Sequence, residues 1–148
     1  MDTKRVYVHE ELCMGCGLCE VYCAVQHSES KDLIKAFRRE TPKPVTRIKL
    51  LQEKPVSFPV QCKNCSDPLC VSACLSGAMR VDEETGLIIH DEERCIGCLT
   101  CVIVCPVGAV RINPNNSKVV IKCDLCQEAE TPACVKFCPN EALTLGEV

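Results

Sequence analysis

The sequence predicts an α+β fold of short helices and short hairpins, organised around cysteine rather than around a large apolar core. Three observations predict this fold. The chain has 148 residues, of which 16 are cysteine, whereas tryptophan is absent and only two tyrosines and three phenylalanines are present. The cysteines recur in one pattern, and strand–turn–strand phrases separate several of them. Because so small a chain buries little surface on folding, we expect metal or cross-links to stabilise it.

All the cysteines fall into four tetrads of one design, with none left over. Each tetrad opens with C-x2-C and closes with C-x3-C, while the middle spacing runs through two, four, two and seven residues. Because the first and last spacings are constant and the middle spacing varies, each end of a tetrad must meet a fixed geometry, whereas the loop between them tolerates different lengths. The tetrads are Cys13, Cys16, Cys19 and Cys23; Cys62, Cys65, Cys70 and Cys74; Cys95, Cys98, Cys101 and Cys105; and Cys123, Cys126, Cys134 and Cys138.

Strand–turn–strand phrases follow the second and third tetrads. Residues 76–90 place two apolar runs on either side of an acidic turn, and residues 108–122 do the same around Asn-Pro-Asn-Asn-Ser. Residues 139–145, which follow the fourth tetrad, repeat part of this strand–turn–strand pattern. No such phrase follows Cys23.

Instead, 38 residues separate Cys23 from Cys62, and this stretch is basic. Between His27 and Lys54 there are eight basic residues against four acidic ones. The basic segment is either a docking surface for an acidic protein or a solvated face that offsets negative charge elsewhere.

The tetrads are typical of cubane iron–sulfur clusters, because C-x2-C-x2-C can offer three thiolates to one compact body. In the bacterial ferredoxin run C-x2-C-x2-C-x3-C-P the fourth cysteine ligates a second cluster. The first and third tetrads have this spacing, and Pro106 and Pro139 follow two of the tetrads. Gly15, Gly17 and Gly97 either let backbone approach the cluster sulfurs or simply form turns.

Other uses of cysteine fit less well. Zinc would need only two C-x2-C pairs per site, and disulfides are rare in a reducing compartment. A Rieske centre would need two histidines per site, but the chain has only His9, His27 and His90. We expect His27 to be a surface or capping residue rather than a ligand. Sixteen thiolates therefore predict four 4Fe–4S clusters.

Bulk properties exclude several functional classes. The formal net charge of -3 gives no reason to expect nucleic-acid binding. The longest uncharged stretch has 16 residues, too few to span a bilayer, and no export signal is visible, so we expect a cytoplasmic protein. No nucleotide-binding or nucleophile motif is present, so we expect no catalytic residues and no activity by the chain alone.

Spacing leaves open which tetrads share clusters. The first could pair with the second and the third with the fourth, or the pairs could be nested, the second with the third inside the first with the fourth. The linkers of 20 and 17 residues after Cys74 and Cys105 are long enough for both arrangements.

Two stretches resemble a known family. Residues 62–74 read CKNCSDPLCVSAC, and residues 122–126 read KCDLC before PACVKFCP at residues 132–139. These are similar to the second and fourth motifs of the four-cluster ferredoxin-like electron-transfer subunits. Such subunits serve dimethyl-sulfoxide-reductase-type enzymes, formate dehydrogenases, hydrogenases, carbon monoxide dehydrogenases and tungsten aldehyde oxidoreductases. The resemblance covers residues 13–145.

The resemblance implies nested pairing and two dicluster modules. The outer module would comprise residues 1–30 plus 106–148, the inner module residues 62–105, and residues 31–61 would be a basic connecting segment. The implied ligand sets are Cys13, Cys16, Cys19 and Cys138; Cys23, Cys123, Cys126 and Cys134; Cys62, Cys65, Cys70 and Cys105; and Cys74, Cys95, Cys98 and Cys101.

The resemblance also implies a relay of electrons between a large catalytic metallo-oxidoreductase subunit and a second redox protein. The chain has no C-terminal membrane helix of the kind some relatives carry, so we expect no membrane span of its own. A free-standing polyferredoxin carrier and an iron–sulfur scaffold or sensor for cofactor maturation are the alternative functions.

Overall fold

The computed structural model describes residues 4–147, which form five short α-helices, one 3-10 helix (Glu10–Leu12) and four two-stranded antiparallel sheets. The helices are α1 (Leu18–Gln26), α2 (Leu33–Arg38), α3 (Leu69–Ser72), α4 (Thr100–Val104) and α5 (Ala133–Lys136). The strands are β1 (Lys4–Val8), β2 (Lys49–Glu53), β3 (Val56–Val60), β4 (Met79–Val81), β5 (Ile88–His90), β6 (Arg111–Asn113), β7 (Asn116–Ile121) and β8 (Leu143–Glu147). These small elements confirm the predicted α+β fold of short helices and hairpins.

The two hairpins predicted after the second and third tetrads are both present. β4 pairs with β5, and β6 pairs with β7 through an irregular turn. Met79, Ile88 and Val120 are each no more than 2% exposed and lie on the buried side of these hairpins. Apolar side chains from both hairpins therefore pack in one core.

The two ends of the described chain meet in one sheet. β1 pairs with β8 along its whole length, so that Val6 lies opposite Leu145. Val6 and Leu143 are buried beneath this sheet. The phrase that follows the fourth tetrad thus ends in a strand whose partner comes from the N-terminal end of the chain.

The basic segment contains elements that the sequence pattern did not predict. Helix α2 begins after Asp32, whose carboxylate accepts a hydrogen bond from the Lys35 backbone N–H at 2.9 Å, as expected of an N-cap residue. β2 and β3 form a hairpin. Ile48, at 1% exposure, holds the segment against the core.

Cysteine occupies much of the interior. One buried group packs around five cysteines and a second around two more, with small aliphatic side chains filling the rest. The cysteines of the first group are Cys19, Cys23, Cys62, Cys123 and Cys134. Those of the second group are Cys70 and Cys101. Within residues 4–147, none of the helices is long and apolar enough to cross a membrane.

Candidate metal centres

A short helix lies at the C-x3-C ending of every tetrad. α1 carries both Cys19 and Cys23, and side chains four residues apart on a helix lie on the same face. The third cysteines of the other tetrads lie on α3, α4 and α5, and the fourth cysteine follows the end of each helix by one or two residues. One helical turn therefore explains why this spacing is constant in all four tetrads.

Three thiols of the first tetrad, Cys13, Cys16 and Cys19, lie near Cys138. Burial raises the pKa of Cys19 to about 12, and the nearby charges of Glu20, Cys16 and Cys13 raise it further. Cys138 lines the same cavity as Cys13, Cys16 and Cys19. Cys16 is exposed, so this site reaches the protein surface.

Three thiols of the fourth tetrad, Cys123, Cys126 and Cys134, lie near Cys23. Cys123, Cys126 and Cys134 are all buried, and burial raises the pKa of each thiol, that of Cys123 to about 12. Negative charge on Cys23 raises all three pKa values further. Cys19 also acts on Cys134, so this site adjoins the first one.

Cys105, the last cysteine of the third tetrad, lies near thiols of the second tetrad. After burial, negative charge on Cys62 and Cys105 raises the pKa of both Cys65 and Cys70, the latter to about 11.

Cys101 likewise lies among Cys74, Cys95 and Cys98, whose charges add to the effect of burial on its pKa. Cys98 is exposed, as Cys16 is.

Three of the closing cysteines accept a hydrogen bond from a backbone N–H. Met79 donates to Cys74 Sγ and Ala109 to Cys105 Sγ, each at 3.3 Å, from the hairpin phrase that follows. Cys23 has no such phrase after it, and its donor is the backbone N–H of Arg47, at 3.2 Å. The basic segment folds back and supplies this interaction from 24 residues away.

Arg47 also belongs to a polar network beside the Cys23 site. Its guanidinium binds Asp124 at 2.5 Å, and Asp124 in turn lies 3.1 Å from His27 Nε2. His27 Nδ1 donates to the Cys23 carbonyl at 2.7 Å, which confirms the expectation of a capping histidine at the end of α1. The sequence analysis did not predict the other two members of this network.

The network has clear electrostatic consequences. Burial opposes charge on both partners, but their mutual hydrogen bond raises the pKa of His27 to about 9 and, with Arg47, lowers that of Asp124. Burial is likewise overcome at Cys23, where hydrogen bonds from His27 and the Arg47 N–H lower the thiol pKa. His27, Asp124 and Cys126 could also hold a metal ion, but the Cys126 thiol belongs to the site already described.

A buried lysine near these sites indicates whether they fit a negatively charged group such as an iron–sulfur cluster. Lys122 is only 4% exposed and forms no ion pair with a carboxylate among residues 4–147. Burying a charge is costly unless opposite charge compensates it. A 4Fe–4S cluster with four thiolates carries about two negative charges and supplies that compensation. The thiols and this lysine together fit iron–sulfur clusters.

Comparison with known proteins agrees with this geometry. The 4Fe-4S dicluster domain family matches residues 54–148, and a 4Fe-4S binding domain matches residues 10–26. The chain belongs to the 4Fe-4S dicluster family. The chain therefore contains 4Fe-4S binding domains, which favours iron–sulfur clusters over zinc, and its sixteen cysteines form no disulfide in the structure.

Two relatives of this 4Fe-4S dicluster protein indicate its general role. It is 37% identical to the electron transport protein HydN of Escherichia coli K12, over 88% of this chain and 81% of HydN. It is also 37% identical to the polyferredoxin-like subunit of an aliphatic sulfonate oxidoreductase of Pyrococcus furiosus, over 90% of this chain and 70% of that subunit. The chain is an iron–sulfur electron-transport protein.

One solved structure has the same fold. A chain of the active site complex BamBC of benzoyl coenzyme A reductase matches the whole of this chain with a TM-score of 0.55 and 19% identity. The match covers 79% of the BamBC chain. At that identity the likeness concerns the fold alone.

Proposed function

We propose that the protein relays electrons through four 4Fe–4S clusters between a catalytic metallo-oxidoreductase subunit and a second redox protein. The observation that carries the proposal is the set of neighbours around three buried thiols. Cys134, Cys70 and Cys101 each lie near thiols of their own tetrad and near the closing cysteine of another tetrad. Each cluster, when bound, supplies one-electron chemistry. The chain itself holds the clusters, sets their surroundings and presents them to partners.

We propose nested pairing as the arrangement of these clusters. The electrostatic neighbours of Cys134, Cys70 and Cys101 support it, because each of these thiols acts together with the last cysteine of a different tetrad. The four proposed ligand sets, numbered one to four, are Cys13, Cys16, Cys19 and Cys138; Cys23, Cys123, Cys126 and Cys134; Cys62, Cys65, Cys70 and Cys105; and Cys74, Cys95, Cys98 and Cys101.

The sets form a continuous series. Sets one and two share α1, sets two and three meet in the first buried group, and sets three and four meet in the second. The outer module, residues 1–30 plus 106–148, would hold sets one and two, and the inner module, residues 62–105, sets three and four. An electron entering at one end could therefore reach the other in short steps.

Both ends of this series are open to partner proteins. Cys16 in set one and Cys98 in set four are exposed, and a largely exposed apolar residue precedes each by two positions: Met14 at 63% and Ile96 at 65%. Apolar contact area around an exposed ligand suits the docking of another protein, since aliphatic side chains there exclude water. We assign one end to the catalytic subunit and the other to the external redox partner.

The partner class follows from the relatives. The Pyrococcus furiosus relative is named as the polyferredoxin-like subunit of an aliphatic sulfonate oxidoreductase. We infer that this chain also works beside a large metallo-oxidoreductase subunit rather than as a free carrier.

The proposal is tested with holoprotein purified anaerobically from its native host. We expect about 16 iron atoms per chain, reversible reduction of every cluster, and co-purification of a large molybdenum, tungsten or nickel oxidoreductase. Repeated reduction and oxidation should leave the iron content unchanged. Transfer of whole clusters to an acceptor protein would instead support the scaffold function, and substrate turnover by the chain alone would refute the relay.

A further inference from the structure

Lys122 is a buried cation without a carboxylate partner. It directly follows β7, and its ammonium donates a hydrogen bond to the Cys123 carbonyl at 2.6 Å. Arg47, Asp124 and Glu92 line the neighbouring cavity with Lys122, and Arg47 pairs with Asp124. Neither carboxylate forms an ion pair with Lys122 in the described part of the chain.

Lys122 lies where the two buried groups meet. Val120, two residues before it, packs with Cys70 and Cys101 in the second group. Cys123, the residue after it, packs with the first group. The backbone at Lys122 thus connects the surroundings of set three to those of set two.

The charge of Lys122 acts on both of these sets. It favours the thiolate of Cys123, which belongs to set two, and the thiolate of Cys70, which belongs to set three.

We propose that Lys122 is a positioning residue that serves as a shared counter-charge for the clusters of sets two and three. This inference rests on the proposed four-cluster relay. Reduction adds one electron, and hence one negative charge, to a cluster. A fixed cation held in a poorly solvated place stabilises the reduced form of each neighbouring cluster.

This placement has a consequence for electron transfer between the modules. Reduction of one cluster normally disfavours reduction of its neighbour, because like charges repel. A single cation near both clusters lessens that penalty on each side of the boundary. Lys122 therefore favours a state in which the clusters on both sides of this boundary are reduced.

The test is a redox titration of the four-cluster holoprotein followed by electron paramagnetic resonance. Lys122→Gln removes the charge and keeps a hydrogen-bond donor, whereas Lys122→Arg keeps the charge. Lys54→Gln, at an exposed residue between β2 and β3, removes the same charge at a distance from the buried thiols. Iron analysis of each variant accompanies the titration.

We expect Lys122→Gln to make two of the four clusters harder to reduce, each by about tenfold in the equilibrium constant, which corresponds to about 59 mV for one electron. Lys122→Arg and Lys54→Gln should leave all four potentials close to those of the unaltered protein. Unchanged potentials in Lys122→Gln, or an equal shift in Lys122→Arg, would overturn the inference.

The number of clusters that each variant binds is a second test of the inference. If Lys122→Gln loads fewer clusters but Lys122→Arg loads all four, the counter-charge is required for assembly and the inference stands. If both variants lose clusters, the shape of lysine rather than its charge is needed, and the inference is wrong. An unaltered protein with fewer than four clusters would refute the proposed function itself.

Discussion

The loop between Cys95 and Cys98 makes a close backbone contact that a single methyl group should disrupt. Gly97 has a φ of +71°, and a Cβ added there would lie 2.6 Å from the Lys118 carbonyl oxygen, a backbone atom of β7. Gly17 has a similar φ of +76°, but a Cβ there would meet no atom within 4 Å. Gly97→Ala and Gly17→Ala therefore share backbone strain and differ in the steric contact.

The expected magnitudes follow from these two effects. Alanine in the left-handed region costs about 1–2 kcal/mol at either position. At Gly97 the β7 backbone must also move, and forcing an additional methyl group into a packed place costs a further ~1–3 kcal/mol. We therefore expect Gly97→Ala to destabilise the holoprotein by about 1–3 kcal/mol more than Gly17→Ala does.

The assay is anaerobic cluster loss in guanidinium chloride, followed by the visible absorption of the clusters. If the extra destabilisation appears in the rate, Gly97→Ala should lose absorption about 5-fold to 150-fold faster than Gly17→Ala. Equal rates for the two variants would refute the idea that the contact between this loop and β7 holds the site of Cys95 and Cys98 together.

Three further predictions concern charge and ligation. In a redox titration, Arg47→Gln should lower the reduction potential of one cluster and Asp124→Asn should raise it. The double variant should have a potential near that of the unaltered protein. If both single variants shift the potential in the same direction, the cause is structural disruption rather than charge. Reversing Arg38, Arg39 and Lys43 to glutamate should slow electron delivery from an acidic partner at low salt and make the rate less salt-dependent; unchanged stopped-flow kinetics would identify the basic segment as a solvated face. Cys105→Ser should perturb the cluster of Cys62, Cys65 and Cys70 while the spectrum of the other three remains; a change confined to the cluster of Cys123 would contradict nested pairing.

The sequence predicted the features that depend on local pattern. The tetrads are recognisable because one helical turn imposes C-x3-C wherever two thiols must share a face. The hairpins β4–β5 and β6–β7 are recognisable because apolar runs flank polar turns. The fold class and the presence of 4Fe-4S binding domains followed from these short-range signals.

Long-range contacts were beyond the sequence pattern. Arg47 reaches Cys23 across 24 residues and Asp124 across 77, and neither separation leaves a periodic signal. The absence of a strand–turn–strand pattern after Cys23 was one hint in the sequence, because a buried thiolate there needs a hydrogen-bond donor from elsewhere in the chain. Lys122 offered a similar sign, since it ends the apolar run from Val119 to Ile121 and directly precedes a C-x2-C pair.

The cluster assignment is tested most directly by an anaerobic crystal structure of the holoprotein, with iron located by its anomalous scattering. We predict four 4Fe–4S clusters, with Cys138 bound to the cluster of Cys13, Cys16 and Cys19. Cys138 bound to the cluster of Cys95, Cys98 and Cys101 would contradict nested pairing, and with it the proposed path of electrons through the protein.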